Sequence, residues 1–416
     1  VAGKDDPLLV RPAGESLGQL RWAGEDWVDV GPRDTVTSAL LTAGVCATSR
    51  SLKLRRHRGP YCLRGDCGTC LVRIDGRPNR RACLAAAASG MQVDPQNVLT
   101  PSGPDPTALA DKLFSEGMDH HHFMVRPRFV NQIMQGVARN LAGLGTLPSH
   151  EPDAPARHEH HSPDVLVIGG GEAGRALARR THTAGLETIV VDRIDAGGHL
   201  DPMAIDHAAT GVFGIYGVEG LVAAMTHGSP EVLRTFRARH VVLATGATEP
   251  LLPFENNDLP GVVAARGLVS LLHRTGLRPA GPVLVVGDGP AAVTAGKDLQ
   301  ADVVALQDVV AVHGGSRVES LEVRGRKIPC RMVAVAPAPA PASDLARQAE
   351  AEVRFSGSGF EVVRDAQGQV VSRGPWQLWA AGEVAGVDRH EAADDGHRVG
   401  ESIVAAARTS AGGRAR

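Results

Sequence analysis

Apolar residues in this chain gather into short unbroken runs that end in glycine, the pattern of strands buried on both faces. The clearest is Val165–Ile168, followed at once by Gly169-x-Gly171-x-x-Gly174, an Ala/Leu pattern at helical spacing, and a second strand, ETIVV, at 187–191. Two more strands end in glycine, VVLATG at 241–246 and LWAAG at 378–382, and a helix beginning near Ala392 carries Gly396 and Gly400. The same order of strand, glycine turn and helix recurs at 281–299 (GPVLVVGDGPAAVTAGKDL), with the strand DVVALQ after it at 302–307. The second set lies between pieces of the first, so the pattern predicts an α/β chain with one domain inserted in another. The expected divisions are a tail over 1–20, a first domain over 21–105, a helical connector and linker over 106–160 with a helix at 129–144, an outer domain made of 161–259 and 351–416, and an insert over 260–350. APAPAPA at 336–342 falls in the insert, where its prolines are not expected to support a ladder.

Each glycine of the first loop has a task in a dinucleotide-binding turn: the tight turn itself, close approach of backbone to a pyrophosphate, and contact between helix and strand. Asp192, twenty-one residues beyond Gly171, closes the second strand where an acid accepts hydrogen bonds from an adenosine ribose. The candidate cofactor-binding residues are therefore Gly169, Gly171, Glu172, Ala173, Gly174, Asp192, Arg193, Gly198, Thr245, Gly246, Gly382 and Glu383. In the inserted copy, Gly287-x-Gly289-x-x-Ala292, the following strand is expected to end in Gln307, with neither a carboxylate for NAD nor an arginine for a 2′-phosphate, so a degenerate scaffold is expected there.

A formal net charge of −2 gives no sign of a nucleic-acid partner, and no apolar run reaches the ~20 residues of a membrane span. With no signal peptide expected at VAGKDDPLLV, the reading is a cytoplasmic protein, with peripheral docking to a membrane left open.

Six cysteines occur, and Cys62, Cys67, Cys70 and Cys83 stand as C-x4-C-x2-C-x12-C, the spacing of a plant-type [2Fe-2S] site. Gly65, Asp66, Gly68 and Thr69 are small, turn-permissive residues that let backbone N–H groups point inward at the sulfurs. Zinc would favour a second close pair of ligands, and disulfides suit small secreted domains. Cys46 and Cys330 lie in apolar surroundings and read as buried packing residues. The resulting fold class is two nested dinucleotide-binding, Rossmann-like domains preceded by a β-grasp [2Fe-2S] ferredoxin-like domain.

Several segments, GPRDTVTSALLTAGV at 31–45, SRSLKLRRHRGP at 49–60, GMQVDPQNVLTPSGPD at 90–105, FMVRP at 123–127, GVFGIY at 211–216, LATGATEPLLPFENNDLPGV at 243–262 and AAGEVAG at 380–386, make the chain similar to the alpha subunit of heterotetrameric sarcosine oxidase and its relatives. Those relatives are the flavoprotein subunits of opine oxidases, hydrogen cyanide synthase and dye-linked proline dehydrogenases. The resemblance implies a complex in which a D-amino-acid-oxidase-type flavoprotein subunit oxidises a secondary amine or amino acid, with room for a small additional subunit and for a quinone or other carrier as acceptor. It implies FAD, or NAD or ATP, in the first nucleotide site, and FMN at the partner interface. The cysteine motif departs from the sarcosine oxidase pattern, and no folate-binding domain follows, so a fused [2Fe-2S] domain without formaldehyde trapping is expected.

The resemblance also brings His120–Phe123 towards the subunit interface. His158–His161 reads as exposed linker, and the basic run Lys53–Arg58 as a solvated face or as a positive rim for FMN phosphate or partner carboxylates. No residue reads as a substrate base, so the catalytic set is empty and the chain is expected to pass electrons from an amine or imino acid oxidised elsewhere. Two other classes stay open at this stage: a stand-alone NAD(P)H-dependent ferredoxin-type reductase, and a structural subunit with an inert nucleotide.

Overall fold

The computed structural model describes residues 6–12, 16–51, 56–98, 157–194, 205–228 and 231–412, with single helical positions at 129 and 132. The rest of the helix expected over 129–144, the His120–Pro127 segment, Lys53–Arg55 and Gly198 lie outside the described residues. The chain divides into two compact units, Val1–Pro152 with Leu251–Pro337, and Asp153–Pro250 with Ala338–Arg416.

In the first unit, an N-terminal five-stranded sheet runs in the order Asp26–Val30, Gly18–Trp22, Gln92–Pro95, Leu71–Ile74, Arg77–Arg81. Its strands alternate: Leu20, Trp22, Val28 and Val30 are buried while their neighbours face out, as a sheet covered on one side requires. The helix Val36–Thr42 opens on a capping box between Thr35 and Ser38. The strand Gly18–Trp22 begins inside the stretch expected to be a tail, and Leu9–Val10 pairs antiparallel with Arg278–Pro279. Leu9–Val10 is too short to show a period, and the alternation of Gly18–Trp22 spans only five residues.

The insert has a parallel four-stranded sheet, Val262–Ala264, Met332–Val335, Val283–Val286, Asp302–Val304, with helices Ala265–Thr275 and Pro290–Leu299. Its last strand stops at Val304, short of the expected Gln307. One core joins the insert to the N-terminal domain: Leu8, Leu9, Leu41 and Leu63 pack with Leu268, Leu271, Val285 and Met332.

The second unit is built on a five-stranded sheet ordered Thr188–Val191, Val165–Ile168, His240–Leu243, Gln377–Ala380, Gln369–Val370, of which the first four are parallel. Residue alternation divides its two faces. Val165 and Val167 pack with Leu177, Val399 and Ile403 of helices Glu172–Thr183 and Ala392–Gly412, whereas Leu166 and Ile168 pack with Ile215, Val222 and Phe236 of a four-stranded sheet. The strand is apolar throughout because both faces are covered.

That four-stranded sheet corrects one expectation. His158–His161 is not a linker: Arg157–His161 is its edge strand, parallel to Val232–Phe236. His161 stacks on Phe236 at 5.2 Å, and Arg234 bridges to Glu159 at 2.9 Å. The strand is polar because its ladder and cross-strand pairs, not apolar alternation, hold it. The proline-rich stretch is corrected too. Ala340–Pro341 pairs antiparallel with Ala247–Thr248, and residues 338–350 pack in this unit, not in the insert, with Ala346 in the core around Ile215. A two-residue ladder needs few N–H donors, so the proline does not break it.

Candidate iron-sulfur and dinucleotide sites

The cysteine loop lies between Tyr61 and the strand Leu71–Ile74, and Cys83 follows the strand Arg77–Arg81. Leu63, Gly65 and Gly68 hold positive φ there, and a Cβ at Gly65 would press on Leu84 Cδ1 at 2.5 Å. The amides of Asp66 and Cys67 donate to Cys62 Sγ at 3.1 and 3.3 Å, and Cys62 N–H points to Cys67 Sγ at 3.5 Å. This is the inward aim of N–H groups that stabilises thiolate charge. Cys62, Cys70 and Cys83 are buried, and Cys67 is exposed.

The four thiols contact one another. Hydrogen bonds from Cys67 and Cys83 hold Cys62 well below the ordinary thiol range, and one from Cys83 lowers Cys70. Cys67 is pushed up by its bond to Cys62, and Cys83 by its bonds to Cys62 and Cys70. Among the described residues no group of three or more His, Cys, Asp or Glu is arranged to hold a metal ion. The site therefore rests on the spacing, the mutual thiol contacts and the inward amides, which suit ligands shared between two irons. None of the six cysteines is in a disulfide, and Cys46 and Cys330 are packed in apolar cores, where burial pushes Cys330 up to about 11.

In the second unit the first glycine loop separates what the protein needs from what a ligand needs. Gly169 has φ +111°, and a side chain there would overlap the Ala244 carbonyl oxygen; one at Gly174 would overlap the carbonyl of Gly169. At Gly171 a Cβ would meet nothing within 4 Å. In a dinucleotide-binding turn the middle glycine is the one that lets a pyrophosphate approach the backbone. The helix Glu172–Thr183 has Gly171 as its N-cap with no side-chain cap, so first-turn amides are left for an anion.

Asp192 stands at the end of Thr188–Val191, and its carboxylate accepts from Gly170 N–H at 2.6 Å and Ile194 N–H at 2.7 Å. Both bonds aim it into the loop and leave lone pairs for a ribose. The strand end at Gly382 meets this loop, and Gly246 lies beside Glu383. A Cβ at Gly382 would lie 2.8 Å from that of Ala173, and one at Gly246 3.7 Å from Glu383 Oε2. Thr245 is used structurally, its hydroxyl donating to the Ala342 carbonyl at 2.8 Å. Glu172 pairs with Arg175, and Arg193 follows Asp192 at the strand end.

The sequence reading missed Asp395. It is buried in the first turn of Ala392–Gly412, accepts from Gly382 N–H at 2.8 Å, and forms a two-bond pair with Arg364 at 3.0 and 2.8 Å; Arg398 also contacts it. The available signal was an acid in the first turn of a helix whose Gly396 leaves no room between it and the Ala173 carbonyl.

The insert repeats the turn without the acid. Gly287 N–H bonds to Val304 O, as Gly169 N–H does to Val191 O. The residue in Asp192's place is therefore Ala305, not Gln307. The next carboxylate, Asp308, is paired with Arg324 at 2.8 Å.

The fold and sites define a class: an iron-sulfur flavoprotein with two nested dinucleotide folds. Residues 24–98 match the 2Fe-2S iron-sulfur cluster binding domain family. Sarcosine oxidase subunit alpha of Rhizobium meliloti (strain 1021) is 30% identical over 337 residues, which cover 70% of this chain and 34% of that protein. Hydrogen cyanide synthase subunit HcnA of Pseudomonas aeruginosa is 38% identical over 64 residues, 15% of this chain and 61% of that one. In structure, the L-proline dehydrogenase from P. horikoshii matches with a TM-score of 0.67 at 18% identity, covering 97% of this chain and 76% of the other. These similarities support the family of sarcosine oxidase alpha subunits and their relatives, which are oxidoreductases, and the chain spans about a third of the length of the sarcosine oxidase subunits it matches. Its cofactors are a [2Fe-2S] cluster and FAD. No helix among the described residues is long and apolar enough to cross a membrane.

Proposed function

We propose that this chain is the electron-transferring subunit of a heteromeric amine or amino/imino acid dehydrogenase, and that the CH–NH donor is oxidised on a partner of the D-amino-acid-oxidase type. The observation that carries this reading is the asymmetry of the two glycine loops: Asp192 stands beside one and Ala305 beside the other. A reductase fed by NAD(P)H would need an equipped second site.

The chain's own residues bind and orient. Gly171 and the first-turn amides take the pyrophosphate, Asp192 takes the ribose, and Asp395 fixes Gly382 where it borders the loop. The amides of Asp66 and Cys67 steady the charge on Cys62. When bound, FAD takes up electrons in pairs and the cluster hands them on singly, to a quinone or another carrier. The His120–Pro127 segment and the basic run Lys53–Arg58 belong to the partner interface in this reading, with FMN clasped there. Of that run, Arg56 and Arg58 both pair with Asp258 at 3.0 Å.

Reconstitution tests this. Proline, sarcosine, an opine or glycine should reduce the cluster only when the oxidase-type subunit is present. Amine-dependent dye reduction by the purified single chain, or rapid bleaching of its flavin by NADH or NADPH, overturns the proposal.

A further inference from the structure

The inserted domain touches the cluster loop through the start of a helix. Ala264, the N-cap of Ala265–Thr275, donates its N–H to the Tyr61 carbonyl at 2.8 Å. Three residues on, Gly267 faces the next peptide: a Cβ there would overlap the Cys62 carbonyl oxygen and lie 3.4 Å from Leu63 Cβ. Glycine is among the poorest helix formers, and here no left-handed φ calls for it, so the close approach of Cys62 is what requires it. Leu63 completes the contact by packing with Leu268 and Leu271 of the same helix.

The charges at this turn run against ordinary helix design. A first turn normally favours acids, which offset the partial positive charge of the unpaired N–H groups. This one has no acid, and carries Arg266. Backbone amides, an arginine and the cluster-ligating Cys62 thus share one end of the helix.

We propose that the first turn of Ala265–Thr275 is a positively polarised seat for the [2Fe-2S] loop, with Gly267 as its positioning residue, and that this seat raises the reduction potential of the cluster. Reduction adds one electron and hence one negative charge, which the helix N-terminus and Arg266 favour over the oxidised state. The inserted fold then serves the cluster directly, whatever its glycine loop binds. The proposal rests on the cluster assignment, which iron and labile sulfide in the unmutated chain establish independently.

The test is Gly267→Ala in the full chain, with dithionite as electron donor and mediator dyes, followed by visible absorption and EPR. Displacing the loop from the helix end should lower the reduced-to-oxidised ratio at fixed potential by about twofold to fivefold. At 59 mV per decade for a one-electron centre, that is a midpoint roughly 20 to 40 mV more negative. The EPR g-values should move as the Cys62 ligand tilts. Gly276→Ala strains the far end of the same helix, where φ is +71°, and should lower thermal stability without moving the potential. Should Gly267→Ala fail to fold, Arg266→Gln tests the charge alone and should shift the midpoint in the same direction. An unchanged potential and EPR signal in an iron-replete Gly267→Ala chain overturns the proposal, as does an equal shift in Gly276→Ala.

Discussion

The two glycine loops share a backbone and differ in what surrounds it. In each, the first glycine stands where a side chain would strike a carbonyl of the neighbouring strand end, Ala244 in one and Ala336 in the other, and in each the middle glycine faces open space. In each, the amide of the first glycine bonds to the last carbonyl of the next strand. Beyond that point they part. Asp192 takes the amide of Gly170, whereas Ala305 can accept nothing through its side chain. The first fold also gains the Ala392–Gly412 helix and its buried Asp395, which tie a second glycine strand end to the loop. The steric demands of the turn are thus met alike in both loops, and the difference lies in the hydrogen-bonding groups around them.

The largest effect that bears on this contrast should come from Asp395→Asn. It leaves Arg364 without its charge partner in a buried setting, and breaking such a pair costs about 3 to 5 kcal/mol. Thermal melts should show the flavin unit failing first, with FAD release at the same midpoint. Equal stability with FAD retained would mean that Gly382 is not held by this residue.

Next in size is Gly171→Val. No protein atom is near, so the apoprotein should melt as before, while FAD binding weakens by roughly a hundredfold, about 2.8 kcal/mol. Gly289→Val in the insert, at φ +78°, should cost about 1 to 2 kcal/mol of stability and leave FAD content alone. FAD loss from the second variant would erase the distinction between the loops.

Asp192→Ala should weaken FAD by about tenfold to a hundredfold, the scale of one or two hydrogen bonds to a charged acceptor, as read by flavin fluorescence on dilution. The converse change, Ala305→Asp, sharpens the comparison: weak quenching by NADH should appear where the native chain shows none. Binding by the native chain would mean that the second loop works without an acid.

Smallest is a pH effect. His240 is buried at the start of a central strand of the flavin unit, and accepts from Trp379 Nε1–H at 3.3 Å through Nδ1. Burial lowers its pKa below the ordinary histidine value. The unfolded chain therefore binds the proton more readily. Stability from this group is complete above about pH 6.5 and falls as pH drops through the interval below it. Urea titrations read by tryptophan fluorescence at pH 7.5 and 5.5 should differ by less in His240→Phe than in the native chain.

Much of this was legible in sequence, for identifiable reasons. Val165–Ile168 is buried on both faces and so is apolar at every position, and the cysteine spacing is fixed by ligand geometry. Arg157–His161 was illegible because an edge strand held by Glu159–Arg234 and ring stacking shows no apolar period. Ala305 was misplaced because only the observed register shows where a strand stops. Asp395 offered only a weak signal, an acid in a helix's first turn, because its partners Arg364 and Gly382 are distant in sequence and a helical pattern does not tell what such an acid will meet.

The shared core of Leu9, Leu41 and Leu63 with Val285 and Met332 has a consequence for synthesis. Those partners leave the ribosome late, after the whole of residues 153–250 has emerged. Closing so long a loop delays the contacts that bury the leucines. The cysteines are therefore made long before their loop has its final support, and cluster insertion should follow translation of the strand Met332–Val335. A nascent chain arrested at residue 98 should expose Leu9, Leu41 and Leu63 to a hydrophobic dye and hold iron poorly; one arrested far enough past 337 to clear the ribosome should do neither.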